Sequence, residues 1–371
     1  MPLLFQMSHS SNKIDRFFLI SVIVLTAAGF IIFLSASLGL LAQSGASFGT
    51  VAAKQGISLG LGVVCFYLFS KFKYTLLRKS ALFIFLGAIA INLLLFVPGL
   101  ALHYNGASRW LSFGPLTFQP SELLKIAFII YVAAWAQFAK DKLNTVKFGL
   151  MPYIFITGVL CLLLLFQSDT DTLVIIAFTG LVMLLIGGVK LRHMAIGVLL
   201  LAALVVGVVI FRPYALQRVK TYLNIAADTQ GASYQINQSL IAIGSGQITG
   251  RGFGQSVQKF GYLPQPTDDS IFAVAAEEFG FIGSIILLAI YLLFAASAFR
   301  IGTRSSDIFG GLLAIGVAIL VIVESFMNMA AMLGLIPLSG VPLLFVSHGG
   351  SALIIALITA GMVANVSKYA K

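Results

Sequence analysis

Two adjacent acids, Asp268 and Asp269, stand just ahead of an apolar run that opens Ile271-Phe272-Ala273-Val274. A carboxylate against hydrocarbon holds its proton more tightly than in water and can accept one near neutral pH. Asp269 is therefore the best general-base candidate in the chain; the plainer alternative is that one of the two acids caps the helix that follows. A second cluster runs Asn105-Gly106-Ala107-Ser108-Arg109-Trp110, then Gln119-Pro120-Ser121-Glu122-Leu123-Leu124-Lys125. Pro120 suits a first helical position, Glu122 suits the first turn, and Glu122 and Lys125 are spaced to pair. Arg109 and Lys125 would hold an anion near a membrane surface; the plainer reading is a well-made helix start with Trp110 as an interfacial anchor.

Other segments are polar without declaring a chemistry. Gln167-Ser168-Asp169-Thr170-Asp171-Thr172 has the DxD spacing of nucleotide-sugar transferases, but no nucleotide-binding domain surrounds it, and Asp171 reads as the cap of the next helix, with Asp169 left open. Five glycines between 244 and 254 would let backbone N–H groups approach a phosphate, yet no GK[ST] ending follows, and turns are the simpler use. Asn328, Gly334, Pro337, Gly340 and Ser347-His348-Gly349-Gly350-Ser351 read as an ordered loop entering a final helix. The four histidines are scattered, so no metal cluster or Ser-His-Asp set assembles from spacing.

The elements that carry these residues are apolar. Of 371 residues, 59% are hydrophobic and 9% charged, against roughly 25% charged in a soluble domain, and mean hydropathy is +1.03. Such a chain takes lipid as its solvent. The net charge of +11 does not point to nucleic acid, because the bases sit between apolar runs rather than in one patch. Cys65 and Cys161 both lie in apolar stretches and form no disulfide framework.

Runs long enough to cross a bilayer are predicted near 17–34, 56–70, 81–100, 122–138, 150–166, 172–189, 194–211, 276–299, 308–333 and 351–367, which makes ten. The first also resembles a signal peptide, but its length and the nine runs that follow favour a retained helix. Alternating segments divide the bases unevenly. One set holds fifteen of the 23 Lys and Arg and three of the 12 acids. The positive-inside rule makes that set, and both termini, cytoplasmic. The outer set holds eight bases and nine acids, close to apolar surface, where charge is expensive and marks function. The expected fold is an all-α polytopic membrane protein of about ten transmembrane helices. It forms a single domain over 1–371, with a large extracytoplasmic loop of about 212–275 between helices 7 and 8.

Taken in order, N-G-A-x-R-W, Q-P-S-E-x-x-K, Y-Q-x-x-Q-S-L-I-A-I-G-S-G at 234–246, L-P-x-x-x-x-D at 263–269 and G-G-S at 349–351 resemble the SEDS family of bacterial membrane proteins (FtsW, RodA and SpoVE) over nearly the whole chain. Ser256-Val257-Gln258-Lys259, Tyr262-Leu263-Pro264 and Asp269-Ser270-Ile271-Phe272-Ala273 look more like the FtsW branch. The chain departs from the family at Gln265, where Glu is frequent, at Ser168 and Asp171, where Pro and Gly are frequent, and in its extra acid, Asp268.

The resemblance implies a peptidoglycan glycosyltransferase that polymerises lipid II, a disaccharide-pentapeptide on undecaprenyl pyrophosphate, on the outer face of the bacterial cytoplasmic membrane, at the division septum. It puts the family's essential aspartate on Asp269. Candidate substrate-binding residues are Arg109, Arg218, Lys220 and Lys259 for the pyrophosphate, Lys125 with Glu122 behind them, and Gln238 and Ser245 in the long loop. No dedicated metal ligand set is visible, although a divalent cation, magnesium or manganese, would suit the chemistry. Implied partners are a class B penicillin-binding protein transpeptidase, other division proteins and the bilayer itself. The competing classes are a lipid II flippase, kept open by Glu324 inside the ninth run, and a non-catalytic division scaffold; a RodA-type elongation polymerase is the alternative within the family.

Overall fold

A computed structural model describes residues 13–42, 48–104, 107–113, 116–224 and 233–370. The helices are α1 (Arg16–Ser37), α2 (Phe48–Lys71), α3 (Tyr74–Lys79), α4 (Ala81–Leu93), α5 (Pro120–Ala139), α6 (Met151–Phe166), α7 (Thr170–Ile186), α8 (Leu191–Phe211), α9 (Pro213–Leu223), α10 (Tyr234–Ser245), α11 (Ile271–Thr303), α12 (Ile308–Met332) and α13 (Gly350–Ser367). Among the described residues eight helices are long and apolar enough to cross a membrane. Two shorter apolar helices, Ala81–Phe96 and Thr170–Ile186, occupy the places of two further expected spans.

The bundle is packed from the centre outward. α12 and α13 are mostly buried, whereas α2 and α8 turn most of their apolar residues outward. Phe83, Phe155 and Leu199 are each more than two-thirds exposed. In water such a surface would aggregate; in hydrocarbon it costs nothing, so the surface itself states the solvent.

The two charge sets of the sequence lie at opposite ends of the helices. At one end Asp15 caps α1, accepting from the Phe18 N–H at 3.0 Å, and pairs with Arg300 at 2.7 Å. Asp307 caps α12 through the Gly310 N–H and accepts from the Tyr74 hydroxyl. Asn365 bridges the Tyr74 N–H and the Ser70 carbonyl. At the other end of α1, Ser35 donates to Glu278. Each end is closed by caps and pairs of its own, which satisfies orphan helix-end groups where water is scarce.

α11 is broken at Gly280, whose φ of 66° and ψ of −164° suit only glycine. The freed backbone groups are taken up by the glycine-rich segment. Arg251 and Gly252 N–H donate to the Glu277 and Glu278 carbonyls, and Phe281 and Ile282 N–H donate to those of Gln247 and Ile248. A Cβ on Gly250 would lie 2.1 Å from the Glu278 oxygen, and one on Gly246 2.1 Å from that of Ala276. Gly246 and Gly250 let backbone meet backbone, a use the sequence did not show. Gly252 and Gly254 lie in turns at positive φ, the simpler use read from the sequence.

Between the third and fourth expected spans, a three-stranded antiparallel sheet forms from β1 (Ala101–Tyr104), β2 (Ala107–Phe113) and β3 (Leu116–Phe118), in that order. Leu111 pairs with both Ala101 and Phe118. The alternation of strands puts Arg109 on the face of the buried Leu111.

Candidate active site

Asp269 stands two residues before α11 in a turn held from three directions. The Asp268 and Ser270 N–H groups donate to the Gln265 carbonyl. Ser347 Oγ donates to the Asp268 carbonyl, and Asn328 Nδ2 of α12 donates at 2.8 Å both to the Asp269 carbonyl and to that of Val341. Asn328 thus fixes the acid and the Gly340 loop in one register. The N-cap of α11 is Ser270, without a side-chain bond, so neither acid caps the helix.

Arg109 reaches inward from β2, donates to the Ser168 carbonyl and lies 3.9 Å from Asp169. Ser168 has a φ of 57°, and this left-handed turn between α6 and α7 belongs to the carbonyl that receives Arg109. Asp169, not Asp171, caps α7, accepting from the Thr172 N–H. The cap expected of Asp171 is therefore corrected: its carboxylate holds Arg218 at 2.8 Å instead. Arg218 also donates to the Tyr214 hydroxyl and stacks over that ring. The DxD-like segment is thus an arginine-orienting turn.

The charged tips converge. A methyl built on Gly340 would lie 3.6 Å from Arg109 Nη1, 3.6 Å from Arg218 Nη2 and 3.8 Å from Asp269 Oδ2. Beside them is a cavity of about 310 Å³, lined by Tyr214, Gln217, Arg218 and Thr221 of α9, Gln235 of α10, Asp269 and Gly340. The four α9 residues are spaced i, i+3, i+4 and i+7, one stripe of a helix. The cavity shares Arg218, Leu338 and Ser339 with an apolar slot of about 200 Å³ between α7 and α8, lined by Val174, Leu204 and Val208 among others.

Burial pushes the Asp269 carboxyl up to about 7, and the Asp268 and Asp171 charges push the same way, while Arg218 and Arg109 pull it back. The group is poised to take up a proton near neutrality.

Of the substrate-binding candidates, the structure brings Arg109 and Arg218 to Asp269 and places the others elsewhere. Lys125 is buried between Glu122 at 2.9 Å and Glu324 at 2.6 Å, a clamp joining α5 to α12. Lys259 is fully buried against Glu278 at 2.6 Å and donates to Ser35. Neither ammonium has a face left for a pyrophosphate, because a buried charge this close to a carboxylate is already committed. Lys220 is exposed and off the α9 stripe. Ser245 donates to its own helix at Ala242, and Gln238 lies one turn beyond the lining Gln235. Asn105 and Gly106 lie outside the described residues. Tyr214, Gln217, Thr221, Gln235 and Gly340 line the cavity beyond the residues expected from the sequence; for the first three the signal is the polar stripe after Pro213.

Among the described residues no three His, Cys, Asp or Glu side chains stand close enough to share a metal ion. Asp169 and Asp171 each face a guanidinium, a donor set that does not fit a divalent cation.

A family model, FTSW_RODA_SPOVE, described as "Cell cycle protein", matches residues 15–371. The chain belongs to this family. It is 35% identical over 354 residues to the probable peptidoglycan glycosyltransferase FtsW of Geobacter sp. (strain M18), covering 95% of this chain and 96% of that one. It is 32% identical over 320 residues to stage V sporulation protein E of Bacillus subtilis (strain 168), covering 86% and 87%. Its fold matches a chain of the structure described as "Structural coordination of polymerization and crosslinking by a peptidoglycan synthase complex", with a TM-score of 0.78, 26% identity and coverage of 95% and 97%. It also matches the rod shape determining protein RodA of Thermus thermophilus, with a TM-score of 0.70, 24% identity and coverage of 95% and 96%. The chain is an all-α multi-pass membrane protein that carries one small sheet among its described residues.

Proposed function

We propose that this chain is a peptidoglycan glycosyltransferase that polymerises lipid II at the outer face of the bacterial cytoplasmic membrane, in septal wall synthesis. The observation that carries the reading is the convergence of one poised carboxylate and two arginines on a cavity that opens into an apolar slot. An amphiphile with an anionic head and a long hydrocarbon tail fits that pair of spaces: the head beside Arg218, the tail between α7 and α8.

The chemistry follows from the groups. The acceptor 4-hydroxyl gives its proton to Asp269 as its oxygen bonds to the donor's anomeric carbon. The bond from that carbon to the pyrophosphate oxygen breaks, and the lipid pyrophosphate leaves with the electron pair. Arg109 and Arg218, held in place by Ser168, Asp169 and Asp171, offset the charge that develops on the leaving group. Glu324, the residue that left a carrier open, is closed in a buried pair with Lys125. A class B penicillin-binding protein would cross-link the strands made here, consistent with a relative's place in a complex of polymerization and crosslinking.

The test is glycan synthesis from lipid II by the purified protein. Asp269→Asn should lose about 10²–10⁴-fold in rate, the contribution of a positioned proton acceptor. The wild-type rate should rise with pH through about 7, because the base works only when unprotonated. Wild-type turnover by the variant would end the assignment.

A further inference from the structure

Asp268 has no part in the scheme above, yet it places a carboxylate one residue from the base. Among the described residues it makes one ion pair, Asp268 Oδ1 to His348 Nδ1 at 3.4 Å. It caps no helix, since the N-cap of α11 is Ser270. The contact is built rather than incidental. His348 N–H donates to the Thr267 carbonyl at 2.7 Å. The neighbouring Ser347 hydroxyl donates to the Asp268 carbonyl and accepts from the Leu343 N–H. The imidazole is stacked on Phe33 of α1, centroids 5.7 Å apart and rings 17° from parallel. Two loops far apart in sequence are thus tied at three points so that one acid meets one imidazole. Both side chains are partly exposed, at 40% and 33%, so protons reach them from solvent.

We propose that Asp268 and His348 form a charge-tuning pair that sets the pH at which Asp269 becomes a competent base. The inference rests on Asp269 acting as that base. Asp269 faces Asp268 in its own segment, Asp171 from α7, Arg218 from α9 and Arg109 from β2. The two guanidiniums keep their charge at all working pH values. Imidazole is the side chain that changes charge between about pH 5 and 8. With His348 neutral, the Asp268 charge stands uncompensated and helps Asp269 keep its proton. A positive charge on the imidazole beside Asp268 opposes that field, and Asp269 stays ionised to lower pH. The pair therefore extends the base's working range as the outer medium acidifies. Both are positioning residues, acting through Asp269 without touching substrate.

The experiment is the pH dependence of kcat/KM for lipid II polymerisation by the full-length protein, with thermal unfolding as a folding control. Asp268→Asn should move the acid limb down by about half a pH unit or more, the effect of removing one nearby charge through a medium between water and protein. His348→Gln should move it up. Asp268→Glu, which keeps the charge, should leave it near wild type. The double variant should match Asp268→Asn rather than the sum of the two opposite shifts, because His348 acts by offsetting the Asp268 charge. All should approach wild-type rate on the alkaline plateau. The two single variants carry opposite signs, so if one fails to fold the other still decides. Acid limbs identical to wild type, with Asp269→Asn inactive, would overturn the tuning pair and leave the base in place. An active Asp269→Asn would overturn both.

Discussion

Gly340 occupies the point where Arg109, Arg218 and Asp269 come together, and its missing side chain leaves their tips free to share one ligand. A methyl there would make ordinary contacts, at 3.6–3.8 Å, with all three. Gly340→Ala should therefore fold as the wild type does while taking up space the substrate needs. We expect kcat/KM for lipid II to fall about tenfold or more, the loss that follows a misplacement on the ångström scale, with the thermal unfolding midpoint unchanged. Unimpaired polymerisation would move the reacting centre away from this point. At this scale the sequence was legible only in part. Asp269 could be read because its cue is local, an acid beside hydrocarbon. The duties of Lys125 and Lys259 could not, because their partners are set by packing: Glu324 lies 199 residues from Lys125, and Ser35 lies 224 from Lys259. The Glu122–Lys125 pair was legible because it is a helix neighbour, but it is one side of a three-residue clamp.

At the scale of elements, the glycine-rich segment and the break in α11 are one structure. A helix interrupted within a bilayer needs its freed N–H and carbonyl groups taken up by protein. Here the 247–252 segment does so with four backbone bonds. It also carries Arg251 to Glu277, and the next turn carries Lys259 to Glu278. The break therefore anchors the long outer segment that ends in Asp269. Gly280→Ala would force a side chain into a left-handed conformation and set its Cβ 2.3 Å from the Gly250 nitrogen. Strain of this kind costs about 1–3 kcal/mol before the clash is counted. A lowered unfolding midpoint and loss of polymerisation together are expected, checked by thermal melts in detergent beside the lipid II assay; a wild-type melt would mean the seam is dispensable. The spans were legible because hydropathy over about 20 residues is a strong signal. The seam and the β2 strand were not, since both depend on short stretches whose partners are remote in sequence.

For the molecule as a whole, the separation of charge into two ends carries the functional argument. The end that holds Asp15, Arg300, Tyr74 and Asp307 is the one rich in bases, with Lys79 and Arg304 exposed. The end that holds Asp269 has acids and bases in near balance, most of them paired. The positive-inside rule turns the first end to the cytoplasm and the cavity outward, where a polymer destined for the wall must emerge. Single cysteines placed in a Cys65→Ser, Cys161→Ala background test this directly. Lys220→Cys, on the exposed face of α9, should react with a membrane-impermeant maleimide in intact cells. Lys79→Cys and Arg304→Cys should react only after permeabilisation. The reverse pattern would turn the cavity to the interior. It would also separate Asp269 from any acceptor strand outside, and the polymerase reading would fall with the topology on which it stands.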